Sequence, residues 1–160
     1  DANNDPLMEK AAIVDGIAYF PTFLGRVVPV DLNGEEPVVG DEWSLIGNEQ
    51  GGWRPGGLAV TATDAAGRMY VLMHPEGYEG SHKDPGVEVW VFDVDAGERV
   101  DRIVLELPAI SIGVTQDDDP LLLTTNINLE VDVYDIGSGA MQRTLSGTGA
   151  QTPFLLHGGL

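Results

Sequence analysis

The sequence predicts an all-β chain of repeated four-stranded units, the organisation of a β-propeller. Three observations carry that expectation. A twelve-residue phrase occurs twice, as VWVFDVDAGERV from Val89 to Val100 and as VDVYDIGSGAMQ from Val131 to Gln142, 42 residues apart. Both copies place an aromatic before an Asp, an aliphatic after it and a Gly four residues beyond it. A degenerate third copy, VVPVDLNG, runs from Val27 to Gly34, with Asp31 matching Asp93 and Asp135. A strand-built period near ~40–50 residues is the signature of propeller blades. Next, 21 Gly and 10 Pro punctuate short apolar runs, as an all-β chain with many turns requires. Finally, no segment shows an amphipathic helical period of useful length.

Each element follows from local signals. Residues 1–10 read as a polar tail. Ala11 to Val14, the Asp15-Gly16 turn and Ile17 to Phe20 read as a hairpin, because Asp-Gly supplies the positive φ of a two-residue loop. Gly25 to Asp31 is the next strand, turned by Asn33-Gly34. Residues 35–57 read as irregular and end in GGWRPGG. Leu58 to Thr63, the DAAG turn at 64–67 and Arg68 to Met73 form a second hairpin. A Gly-rich insertion, HPEGYEGSHKDPG, spans 74–86. Glu88 to Val94 and Val100 to Leu107 complete that unit. Ile110 to Thr115, Leu121 to Thr125, Val131 to Ile136 and Gln142 to Leu145 repeat the pattern. The triplets Ile17-Ala18-Tyr19, Met69-Tyr70-Val71 and Leu121-Leu122-Leu123 hold the same place in each unit. The expected blades are therefore 11–50, 58–107 and 110–147, with 152–160 closing the arc or starting another blade.

Composition excludes several functions. With 26 acids against 8 bases the net charge is −18, which disfavours nucleic acid and anionic membranes as partners. The absence of Cys removes disulfides and thiolate metal sites. No apolar run reaches the ~18 residues of a membrane-spanning helix. DANNDPLMEK at the start has neither a basic n-region nor an apolar h-region, so no signal peptide is expected in this sequence.

Candidate chemistry is sparse. Asp31, Asp93 and Asp135 each end a strand before a turn, where a carboxylate accepts turn N–H groups, so their expected role is structural. Trp43, Trp53 and Trp90 read as packing residues, although Trp53 and Arg54 in a Gly-rich loop also suit an interface. His74, His82 and His157 fit no zinc spacing. His82 and Lys83 in the insertion are candidate partner contacts. Asp117, Asp118 and Asp119 lack the alternation of a calcium loop and read as a solvated turn. No nucleophile elbow, zincin, P-loop or dinucleotide motif is present. No catalytic, cofactor-binding or metal-binding residue is assigned.

GWRPGG at 52–57, RMYVLMHPEGYEGSHKDP at 68–85 and EVWVFDVDAGERV at 88–100 resemble the heavy subunit of the tryptophan tryptophylquinone amine dehydrogenases, the methylamine and aromatic amine dehydrogenases. The likeness continues through ISIGVTQDDDPLLLTT and VDVYDIGSGAMQRTLSG, covers roughly residues 12 to 157 and falls in the C-terminal part of that subunit. YVLMHPEGYEGSHK leans toward the aromatic amine branch. The resemblance implies a seven-bladed propeller in a periplasmic heterotetramer of two heavy and two light subunits. In that family the light subunit carries the quinone, made from two of its own Trp residues, and the catalytic Asp. It oxidises a primary amine to aldehyde and ammonia, and electrons pass to a blue copper protein. The heavy subunit is a scaffold. Its channel-lining Phe falls outside the part matched here.

The expectation is thus a non-catalytic scaffold segment working with a light subunit. The alternatives are a propeller-like protein-binding module without a redox role, and a stand-alone enzyme with an unrecognised site. About three blades make an open arc. Ala11 to Val14 and Pro153 to Leu156 are apolar rather than capped, so the arc is expected to join further N-terminal blades or a copy of itself.

Overall fold

In the computed structural model, which describes residues 5–8, 10–78 and 80–147, the apolar runs become thirteen strands, with no α-helix among those residues. The first five are β1 (Ala12–Val14), β2 (Ile17–Pro21), β3 (Arg26–Asp31), β4 (Val38–Val39) and β5 (Trp43–Ser44). They form one antiparallel sheet in the order β1-β2-β3-β4, with β5 also on β3. The β1–β2 hairpin closes through Asp15 at φ 48° and Gly16 at φ 79°, the paired left-handed geometry that twisted strands favour. The outer strand of this sheet is split: β4 pairs with Val30 and Asp31, β5 with Arg26 and Val27. The break falls opposite Pro29, which has no N–H to give a ladder.

The remaining strands are β6 (Arg54–Pro55), β7 (Thr61–Thr63), β8 (Arg68–His74), β9 (Gly86–Asp93), β10 (Glu98–Val114), β11 (Leu121–Asn126), β12 (Val131–Asp135) and β13 (Met141–Leu145). They form one continuous sheet in which β6 and β7 both pair with β8, followed by β9 to β13 in sequence order. Where two strands were expected at 100–107 and 110–115, the chain runs as the single 17-residue β10. Its first half, to Val104, pairs with β9, and its second half, from Ala109, pairs with β11; the register shifts between them, around Pro108. One strand therefore serves as the outer strand of one unit and the inner strand of the next.

The three inner edges meet. Ala59 bridges Ser111 in parallel, Leu58 N–H donates to Ile110 O at 2.7 Å, and Thr61 Oγ1 donates to Lys10 O at 2.9 Å. This radial arrangement of antiparallel units is that of a partial β-propeller. The triplets equated by sequence lie on the second strands, β2, β8 and β11.

Strand alternation explains the core. In β8, Tyr70 and Leu72 pack with Val89 and Val91 against Ile112, Leu122 and Tyr134 of the last unit. Met69, Val71 and Met73 pack with Trp90 and Phe92 against Ala12, Tyr19, Val27 and Leu45 of the first. Both faces of the middle unit are covered, so Met69 to Met73 read as a continuous apolar run, each residue fully buried.

Part of the expected polar tail belongs to the fold. Asp5 and Met8 are buried, Leu7 bridges Thr22, and Met8 N–H donates to Pro21 O at 2.8 Å. The cause is Asp5, whose carboxylate accepts from Thr22 Oγ1 at 2.7 Å, Leu24 N–H at 2.7 Å and Arg26 Nε at 2.8 Å. Three donors of one turn are satisfied by a residue distant in sequence. The expected strand at 152–160 lies outside the described residues.

Candidate functional site

Antiparallel pairing sorts the connections to two ends of the units. One end carries the turn after β2, the long 75–85 segment after β8 and the turn after β11. The other carries the tight turns after β1, β3, β7, β9, β10 and β12. Trp53, Arg54, His82 and Lys83 gather at the first end, and Asp31, Asp93 and Asp135 lie at the second.

The glycine-rich loop and the insertion hold each other. Gly77 N–H donates to Gly52 O at 2.7 Å, and Gly57 N–H donates to His82 O at 3.0 Å. Arg54 lies directly over Gly77, where a Cβ would collide with its side chain. Gly57 has φ 127°, and a Cβ there would stand 2.8 Å from Ile110 O. These close approaches account for the glycines flanking WRP. Trp53 leans on Trp90 at 5.0 Å between ring centroids, and Arg54 Nη1 donates back to Trp53 O at 2.6 Å. Both residues are half-buried. His82 stacks on Phe23 at 4.1 Å and 11°, and its Nδ1 is buried without a hydrogen bond among the described residues. Lys83 is exposed at the end of the short 3₁₀ turn Ser81–Lys83, and Tyr78 nearby is 70 % exposed. The loop is thus an anchored platform offering Lys83 and Tyr78 outward.

The repeated aspartates hold turns. Asp93 Oδ1 accepts from Asp95 N–H at 3.0 Å and Ala96 N–H at 3.1 Å. Asp135 Oδ1 accepts from Ser138 N–H at 2.7 Å and Ser138 Oγ at 2.5 Å, hydrogen bonds that hold its carboxyl below the ordinary range. Asp31 Oδ1 accepts from Asn33 N–H at 2.9 Å. Their hydrogen bonds are made at the surface.

Sequence reasoning missed Asp64, whose role differs. It is buried, and accepts from Arg68 N–H at 2.9 Å, Arg68 Nε at 2.7 Å and Tyr70 Oη at 2.8 Å. Burial alone would raise its pKa; the bonds from Arg68 and Tyr70 prevail and hold it low. Tyr70 is pushed well up, by burial first and then by Asp64. The DAAG turn was the available signal, but only the fold shows that Tyr70 closes over it.

A second polar network surrounds Trp90. Its indole Nε1 donates to Glu88 Oε2 at 2.7 Å, Arg99 sits 4.2 Å over its ring, and Arg99 Nη2 pairs with Glu49 at 2.6 Å. The network is internally satisfied and structural in character. Among the described residues no group of three or more His, Asp or Glu could hold a metal ion, and His74 Nδ1 is engaged with Pro85 O at 3.2 Å. His157 lies outside the described residues.

An all-β arc of antiparallel blades with an anchored loop platform at one end defines a propeller scaffold. The chain belongs to the methylamine dehydrogenase heavy chain family, whose family model matches residues 3–154. It is 28 % identical over 137 residues to the methylamine dehydrogenase heavy chain of Paracoccus versutus, covering 84 % of this chain and 32 % of the relative. Over 105 residues it is 32 % identical to that of Methylophilus methylotrophus, covering 64 % of this chain and 26 % of the relative. The chain therefore spans about a third of the first relative's length and about a quarter of the second's. Among solved structures, Kuenenia stuttgartiensis hydrazine synthase superposes with a TM-score of 0.55 at 15 % identity, covering 84 % of this chain and 34 % of that one. That likeness concerns the fold alone. No helix among the described residues is long and apolar enough to cross a membrane.

Proposed function

We propose that this chain is a non-catalytic scaffold segment of the heavy subunit of a quinoprotein amine dehydrogenase. Family membership across residues 3–154 carries the reading. The partner is a light subunit bearing tryptophan tryptophylquinone. Together they oxidise a primary amine to aldehyde and ammonia, in a heterotetramer in the periplasm. The quinone takes up the two electrons and hands them to a blue copper protein. The chemistry of this chain's own residues fits a scaffold. Its buried carboxylates Asp5, Asp64 and Asp132 are engaged by neighbouring side chains. Trp53, Arg54, His82 and Lys83 form the surface proposed to face a partner, and Asp31, Asp93 and Asp135 hold turns.

The test is reconstitution. The chain, alone and co-expressed with a Cys-rich light subunit, is assayed for dye-linked oxidation of methylamine and of 2-phenylethylamine, and scanned for quinone absorbance. Activity and the visible band are expected only when the light subunit is present, and the preferred amine assigns the branch. A quinone band or amine oxidation from the chain alone would overturn the scaffold role. Failure of any light subunit to associate would favour a propeller-like binding module instead.

A further inference from the structure

A cleft of ≈ 490 Å³ opens between the first sheet and the turn after β9, at the end of the blades away from the Trp53–Lys83 platform. Its volume is in the range of small-ligand sites. Tyr19, Trp43 and Val94 line it with apolar surface, and Asp31, Asp41 and Asp95 line it with carboxylates. No Lys or Arg lines it.

The aromatic groups are held in place. Trp43 leans on Phe92 at 5.6 Å and 49°, and its ring passes over Gly97, where a Cβ would stand at 3.4 Å. Gly97 takes φ 64° in the turn whose backbone Asp93 holds. Tyr19 is only 5 % exposed, yet its hydroxyl makes no hydrogen bond among the described residues. Burial, then Asp95 and Asp15, raises the Tyr19 pKa, so this hydroxyl remains protonated in a negative field. Asp31 uses Oδ1 for both its bonds to Asn33. The cleft therefore combines aromatic rings, a buried hydroxyl without a partner and carboxylates with no cation among them.

We propose that this cleft binds a small organic ammonium ion with an apolar body. Ring faces attract a cation and shed water against its hydrocarbon part, while carboxylates select for charge. The net charge of −18 raises the local concentration of such cations. A metal ion would not use the aromatic surface, and an anion would be repelled. The site is separate from the proposed light-subunit reaction, because it needs neither quinone nor partner.

The test is a titration of the full 160-residue chain with 2-phenylethylammonium at pH 7 and constant ionic strength, followed by amide NMR shifts at Gly40 and Gly97. Saturable shifts confined to the cleft are expected. Neutral 2-phenylethanol should bind at least ~5-fold more weakly, because it lacks the charge that the rings and carboxylates recognise. Asp41→Asn with Asp95→Asn should weaken the amine by a similar factor, and Trp43→Ala by roughly tenfold. Both Asp residues are exposed, so these variants retain the fold, which their melting curves check. Absence of saturable binding, equal binding of the alcohol, or an unchanged affinity in the double Asn variant would each overturn the proposal. So would shifts produced by oligolysine but not by the small amine, which would indicate a basic protein surface. None of these outcomes bears on the light-subunit reading.

Discussion

Replacing Asp64 should cost more stability than replacing any of the three aspartates that the repeat makes conspicuous. The Asp64 side chain is 1 % exposed, and Tyr70 is fully buried beside it. Asp64→Ala leaves the Tyr70 hydroxyl without its acceptor, which costs about 1–3 kcal/mol. It also removes a charged acceptor from the Arg68 backbone N–H, worth about 1.5 kcal/mol. The Arg68 side chain is 42 % exposed and rehydrates, so its ion pair adds little. The expected loss is about 2–4 kcal/mol. At about 2–4 °C per kcal/mol for a chain of this size, the melting temperature should fall by about 5–15 °C. Chemical denaturation gives the free energy, and a cycle with Tyr70→Phe isolates the pair. In the parent, Tyr70→Phe should destabilise; in the Asp64→Ala background it should be neutral or stabilising. The pH dependence has a defined sign. The folded pKa of Asp64 lies below its ordinary value near ~3.9, so its contribution is complete above that value and is lost as pH falls through the folded pKa. The parent should therefore lose stability on acidification more steeply than Asp64→Asn. A ΔΔG within about 0.5 kcal/mol for Asp64→Ala, or additivity with Tyr70→Phe, would refute this reasoning.

Asp93→Ala and Asp135→Ala lose surface turn bonds, and each should cost less than about 1 kcal/mol in a urea melt. Gly57→Ala forces a side chain into φ 127° and against Ile110 O, so its urea midpoint should drop by more than about 1 kcal/mol equivalent. Trp90→Phe strands the Glu88 carboxylate and weakens the Arg99 contact; a loss of about 2 kcal/mol is expected, and Glu88→Gln should recover part of it in the double variant.

What could be read from the sequence is what neighbours in sequence determine. The hairpins at Asp15-Gly16 and Asp64 to Gly67 follow from residues that permit tight turns, and the repeated Asp marks a turn because its carboxylate reaches only two or three residues onward. The apolar run at Met69 to Met73 also announces a strand covered on both faces. The family resemblance was legible because GGWRPGG and the insertion are short phrases whose glycines are fixed by close backbone approach. What escaped depends on residues far apart in the chain. Asp5 reads as part of a polar tail until the turn at Thr22 to Arg26 is folded against it, leaving one carboxylate to meet three donors. Pro108 reads as the end of a strand, since proline stops a ladder. It ends only the pairing with β9, and the chain continues across it to pair with β11. The cleft is further from view still, since Tyr19 and Trp43 come from one sheet and Asp95 from a turn of another. No spacing along the chain brings them together. Only the packing of Trp43 on Phe92 sets the first unit against the second at that place. A reading of repeats finds what all blades share, whereas a site made between blades uses residues in which they differ. In this chain those residues are Tyr19 with its unbonded hydroxyl, Asp41 in the split outer strand region, and Asp95 beside the shared Asp93.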